Sequence, residues 1–84
     1  MVRIVIVEDH NIVRQGLNLV LSRKPGFEVI ADFNSAEAFL KYLKQTKVKE
    51  GEAFVLLLDI SLPGKSGFGV LGYMKAQFPS IPIL

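Results

Sequence analysis

The stretch Arg3-Ile4-Val5-Ile6-Val7-Glu8-Asp9-His10-Asn11 decides the fold. Residues 3–7 are rich in β-branched side chains and nearly continuous in hydrophobicity. A strand with no polar alternation is apolar on both faces, the mark of a strand buried inside a parallel sheet. Glu8-Asp9-His10-Asn11 then breaks the run. Beyond it, Ile12, Val13, Gly16, Leu17, Val20 and Leu21 recur at helical spacing. Asn11 or Asp9 is placed to cap that helix, and Pro25-Gly26 ends it.

The same reading carries outward. Phe27 to Phe33 reads as a second strand, in which Val29 and Ala31 alternate with Glu28 and Asp32 and Ile30 lies between. Asn34-Ser35 starts a second helix, with Ser35 at the N-cap and an apolar stripe of Ala36, Phe39, Leu40 and Leu43. Gln45 to Glu52 is charged and loop-like. Ala53-Phe54-Val55-Leu56-Leu57-Leu58 is a second continuous apolar run, and it ends at Asp59. A loop, Ile60 to Gly67, leads into a third helix from about Ser66 to Phe78, with Val70, Leu71, Met74 and Phe78 on its buried side. Pro79 stops this helix, and Ile81-Pro82-Ile83-Leu84 begins a fourth strand. Strands alternating with helices mean βαβ units, and so an α/β fold with a parallel sheet covered by helices.

The bulk properties are those of one small domain. The chain has 84 residues, half of them hydrophobic and 21 % charged, which is a globular composition. There is no Cys, which excludes a disulfide framework and a thiolate metal site. The apolar run at the N-terminus is short and ends in carboxylates, which suits neither a signal peptide nor a membrane span. A cytoplasmic location is compatible with both observations. The net charge is only +2. Lys41, Lys44, Lys47 and Lys49 are mixed with acids and have no spaced aromatics among them. They read as a solvated helix end and loop, so no nucleic acid is expected to bind this stretch.

The chemistry lies in the carboxylates at the strand ends. In a parallel sheet all strand C-termini point to one edge, and ligands bind there where the strand order reverses. Glu8 and Asp9 follow the first strand and Asp59 follows the third. If those strands are neighbours, three carboxylates share one pocket. Like charges so placed resist ionising together. A hard divalent cation removes the conflict, and Mg²⁺ takes oxygen ligands of this kind. A carboxylate oxygen attacking phosphorus forms an aspartyl-phosphate, with the metal offsetting the phosphoryl charge. Metal binding and phosphoryl transfer are therefore favoured over acid–base hydrolysis. No Ser/His/Asp arrangement is evident, and His10, the one histidine, reads as a surface or packing residue. Gly64 and Gly67 match no phosphate-loop pattern and serve a turn.

At this point the residues resemble a family. Val7-Glu8-Asp9-His10 followed by Val13-Arg14-Gln15-Gly16-Leu17 looks like the start of a bacterial response regulator receiver domain. The Asp-His pair and the Val-Arg-x-Gly-Leu run look most like regulators of the NarL/LuxR type. Asp59 to Gly67 is similar to the loop after the phospho-acceptor of such domains. The resemblance covers essentially the whole chain and implies a flavodoxin-like fold with strand order 2-1-3-4-5 and helices on both faces. It implies that Asp59 accepts a phosphoryl group from a sensor histidine kinase or phosphotransfer protein. Asp9 would hold Mg²⁺ directly, Glu8 through a metal-bound water, and the Ser61 backbone carbonyl would complete the protein ligands. Pro63 and Gly64 would shape the loop, and Gly67 would open the third helix.

Against that pattern, residues 1–84 read as a partial receiver. The fourth strand is incomplete, and the Thr or Ser that such domains carry at its end, the fifth strand with the Lys at its end, the last two helices and a DNA-binding output domain are absent. An apolar face left bare in this way leads to the expectation of a homo-oligomer in which a second copy supplies the missing layer. Two other functions are compatible with the residues. One is a non-phosphorylated interaction domain on the same scaffold. The other is an aspartate-nucleophile phosphotransferase or phosphatase, which often carries a second Asp where Ser61 stands. The receiver reading is of a signalling domain rather than an enzyme.

Overall fold

The computed structural model describes residues 2–45, 54–59 and 66–84. The elements follow in the order β1 (Val2–Val7), α1 (Asn11–Ser22), β2 (Phe27–Phe33), α2 (Ala36–Gln45), β3 (Val55–Leu58) and α3 (Ser66–Gln77). The three strands form one sheet in the order β2-β1-β3, with both pairings parallel. Ile81–Leu84 lies along the outer edge of β3, where Ile83 bridges Leu56 in parallel. Leu56 N–H donates to the Pro82 carbonyl at 2.9 Å, and Leu58 N–H to the Leu84 carbonyl at 3.0 Å. The α/β architecture and the start of a fourth strand are as expected from the sequence.

Central strand β1 is buried on both faces, as its unbroken apolar run requires: Ile4, Val5, Ile6 and Val7 are all inside. The faces differ. Val5 and Val7, with Leu56 and Leu58, pack under α2 and α3 against Ala36, Phe39, Leu43, Val70 and Met74. Phe39, Leu56 and Met74 are fully buried there. Burying side chains of this size stabilises by roughly 1.5–3 kcal/mol each. Phe33 adds tilted ring contacts to Phe39 and Tyr42, with centroids 5.9 and 5.0 Å apart.

The opposite face carries α1. Its apolar stripe is real, yet no residue of α1 is buried. Leu17 and Leu21 are half-buried, while Ile12, Val13, Leu19 and Val20 are exposed. The helix is tied down instead by polar groups. Arg14 Nε donates to Asp32 Oδ1 at 3.1 Å, and Asn18 Nδ2 donates to Asp32 Oδ2 at 2.8 Å.

A bulge makes those bonds possible. Ile4 pairs with Val29 but Val5 pairs with Ala31, so Ile30 is an extra residue on β2. The shift sets Asp32 opposite Ile6, under α1, and Phe33 opposite Val7, in the core. Without it Asp32 would face the apolar side, because a one-residue slip exchanges the two faces. The simple alternation of Val29 with Ala31 on one face is thereby corrected.

The local signals mostly hold. Ser35 Oγ accepts from Ala38 N–H at 3.1 Å, as an N-cap should. Pro25-Gly26 makes a tight turn closed by Phe27 N–H to the Lys24 carbonyl at 3.2 Å. Gly26 has φ +87°, which a type II turn demands at this place. The cap of α1 is a correction: His10 holds the N-cap position and makes no side-chain cap bond. Asn11 does not cap because its Oδ1 accepts from Arg14 Nη2 at 2.9 Å. The charged segment 46–53 and the loop 60–65 lie outside the described residues.

Candidate functional site

The chain leaves β1 to one side to form β2 and to the other to form β3. The strand order therefore reverses between β1 and β3, and a crevice opens beyond their carboxyl ends. Glu8 follows β1 directly, its N–H donating to the Phe33 carbonyl at 3.0 Å. Asp59 follows β3, its N–H donating to the Val7 carbonyl at 3.1 Å. These two ladder bonds hold both strand ends in register and bring the carboxylates together.

Glu8, Asp9, His10 and Asp59 each offer a ligand atom, all within 4.8 Å of one another. Glu8 is buried, and the side chains of Asp59 and Asp9 are 19 % and 28 % exposed. A cleft of about 260 Å³ adjoins them, lined by Glu8 and Asp59 together with Ile6, Leu17, Leu57 and Leu84. The structure thus brings Glu8, Asp9 and Asp59 to one point, the three carboxylates that the sequence singled out. Ser61, Pro63 and Gly64 lie outside the described residues, and Gly67 falls within the first turn of α3.

His10, which the sequence marks as a surface or packing residue, is exposed and yet joins this cluster. Its Nδ1 is 2.8 Å from Glu8 Oε2, 3.1 Å from Asp9 Oδ1 and 4.0 Å from Asp59 Oδ2. Its backbone N–H also donates to Glu8 Oε2, at 2.9 Å. The hydrogen bond to Glu8 holds the imidazole pKa above its ordinary value. The charges of Asp9 and Glu8 add to this, desolvation works weakly against it, and Asp59 contributes least. The available signal was position: His10 directly follows the carboxylate pair on the same short loop.

Arg14 braces that loop. Its Nη1 donates to the Glu8 carbonyl at 2.9 Å, while its Nε and Nη2 hold Asp32 and Asn11. One guanidinium thereby joins β2, α1 and the segment carrying Glu8 and Asp9, using the fork of donors that only Arg has.

The residues fit a hard divalent cation. Three carboxylates converge, and buried Asp9 Oδ1 accepts no hydrogen bond among the described residues. A buried acceptor without a donor is costly, and a cation is the partner whose charge and oxygen preference match this donor set.

A doubly sided parallel sheet with a carboxylate cluster at its switch point defines the class: an α/β domain built to bind at the carboxyl edge of its sheet. Comparison with known families takes the next step, because residues 4–84 match the response regulator receiver domain, and the chain belongs to that family. Among curated relatives, the oxygen regulatory protein NreC of Staphylococcus epidermidis is 36 % identical over 83 residues, covering 98 % of this chain and 36 % of NreC. The response regulator GacA of Pseudomonas viridiflava is 30 % identical over 84 residues, covering 100 % of this chain and 37 % of GacA. Among solved structures, the isolated receiver domain of RcsB from Salmonella enterica serovar Typhimurium, determined with the phosphomimetic BeF₃⁻, superposes with a TM-score of 0.79 at 29 % identity. That match covers 98 % of this chain and 58 % of the other. The chain thus spans a little over a third of the length of these two curated relatives. Among the described residues, no helix is long and apolar enough to cross a membrane.

Proposed function

We propose that Asp59 is the phospho-acceptor of this receiver and that Glu8, Asp9 and Asp59, with the Ser61 backbone carbonyl, hold Mg²⁺. The observation that carries this reading is the convergence of three carboxylates at the end of β1 and β3, with Asp9 Oδ1 buried and without a hydrogen bond among the described residues. An Asp59 carboxylate oxygen forms the new bond to phosphorus as the phosphorus–nitrogen bond of a phosphohistidine donor breaks. The imidazole leaves with the electron pair and takes up a proton. When bound, the cation supplies positive charge beside the phosphoryl oxygens. Glu8 and Asp9 contribute the compensating negative charge that keeps the cation in place, and the Arg14 bond to the Glu8 carbonyl fixes their loop.

The donor is a sensor histidine kinase or phosphotransfer protein, and the setting is the cytoplasm. In the full-length regulator the receiver controls a DNA-binding output domain. The chain turns over no substrate beyond its own phosphorylation and hydrolysis. Exposed Ile12, Val13, Leu19 and Val20 on α1 support association of copies through that face.

Intact-mass measurement after treatment with acetyl phosphate tests the reading. A single phosphoryl adduct should form with Mg²⁺, disappear on chelation and be lost in Asp59→Asn. Turnover of a phosphomonoester would instead favour the phosphatase alternative. Failure to bind Mg²⁺ would favour an interaction domain.

A further inference from the structure

We propose that His10 is a nitrogen ligand of the same cation site and sets its choice of metal, so that the site favours imidazole-seeking divalent ions such as Ni²⁺ over Mg²⁺ more than carboxylates alone would. This rests on the reading of Glu8, Asp9 and Asp59 as a cation site.

Neighbouring ligands on an octahedron with metal–ligand bonds of about 2.1 Å lie about 3.0 Å apart, and opposite ones about 4.2 Å. His10 Nδ1 stands 2.8 Å from Glu8 Oε2 and 3.1 Å from Asp9 Oδ1, which match neighbouring vertices. It stands 4.0 Å from Asp59 Oδ2, close to an opposite pair. By these three distances the His10 ring nitrogen stands where one more ligand of the carboxylate set would stand.

Local structure explains the placement. The His10 N–H is held by Glu8 Oε2, which fixes the backbone so that the nearer ring nitrogen, Nδ1, turns inward. The side chain is 65 % exposed, so no packing opposes the small adjustment that ligation needs. The Nδ1–H···Oε2 bond to Glu8 is the cation-free form of the contact, with a proton where the metal goes. A bound cation would take the place of that proton at Nδ1, with Nε2 facing away from it. Asp9 Oδ1, 3.1 Å from Nδ1 yet without a hydrogen bond among the described residues, would be satisfied by the same cation.

Chemistry then gives the selectivity. Oxygen ligands suit Mg²⁺ and Mn²⁺, whereas imidazole suits Ni²⁺, Cu²⁺ and Zn²⁺. Mg²⁺ readily substitutes a water for a nitrogen, so it loses little when the ring is removed. Ni²⁺ loses a strong ligand.

The test is calorimetric titration of the chain and of His10→Ala with Ni²⁺ and, separately, with Mg²⁺, together with pulsed EPR of the Mn²⁺-loaded forms. The expected result is that His10→Ala weakens Ni²⁺ by about tenfold or more and Mg²⁺ by about twofold or less. A nitrogen coupling to Mn²⁺ should appear in the parent chain and vanish in the variant. Equal weakening of both ions without nitrogen coupling would make His10 a structural brace and overturn the proposal while leaving the carboxylate site standing. Unchanged Ni²⁺ affinity would overturn it too. If neither ion binds the parent chain, both this proposal and the cation reading of the trio fail.

Discussion

The two faces of the sheet are held by different physics. Under α2 and α3 the contact is dry: Val5, Val7, Phe39, Leu56, Val70 and Met74 are all at 1 % exposure or less. Under α1 the helix buries nothing completely, and an Arg–Asp–Asn network does the fastening. The first face supplies stability through area removed from water. The second supplies position, because Arg14 of that network also holds the loop of Glu8 and Asp9. Stability and site geometry are thus carried largely by opposite sides of one sheet, and substitutions on the two sides should have separable effects.

The largest effect is expected from Phe39→Ala. It opens a cavity in the dry face and should cost about 3–5 kcal/mol, read as a lost or strongly lowered denaturant midpoint. In a domain of this size that is enough to unfold much of the population. Met74→Ala should follow at about 2–5 kcal/mol. If either were silent, the α2/α3 face would not be the core.

On the other face Arg14→Ala should cost less in stability, about 1–3 kcal/mol, since it strips hydrogen bonds from Asp32 and from the Glu8 carbonyl. Its larger mark should fall on the site: weaker Mg²⁺ binding than stability loss alone explains, with Arg14→Lys failing to restore it because an ammonium cannot span three acceptors. Equal losses in Asn18→Ala, which touches Asp32 but not the Glu8 segment, would show that Arg14 acts on stability only. Val13→Ser, on the exposed side of α1, should change monomer stability by about 0.5 kcal/mol or less. Light scattering should show it reducing self-association if copies meet through that face.

The smallest expected effect is a pH dependence. The folded pKa of His10 is raised, chiefly by its bond to Glu8. Its contribution to stability is therefore fully present below the unfolded pKa and is lost as pH rises through the folded one. An NMR titration of the ring should give a midpoint above the ordinary histidine value, lowered when Mg²⁺ is added. His10→Ala should remove this part of the pH dependence.

The sequence made much of this legible. Continuous apolar runs at 3–7 and 53–58 pointed to buried parallel strands, and Ser35 marked a helix start, because these signals are local and strong. Glu8, Asp9 and Asp59 were legible as a set because strand ends in a parallel sheet share an edge. What escaped was decided by tertiary structure. The bulge at Ile30 exchanges the faces of β2 with no Gly or Pro to announce it. Asn11 has the chemistry of a cap, but Arg14 takes its oxygen. His10 carried no spacing pattern of its own, and only the approach of β3 sets Asp59 within 4.0 Å of its ring.

On the proposed reading, the carboxylates gathered at the switch point prepare Asp59 for a phosphoryl group. The most direct measurement is ¹⁹F NMR of the chain with beryllofluoride. A protein-bound fluoride signal should appear with Mg²⁺, vanish on chelation and be missing in Asp59→Asn. A bound signal that survives Asp59→Asn, or none at all in a folded chain saturated with Mg²⁺, would contradict it.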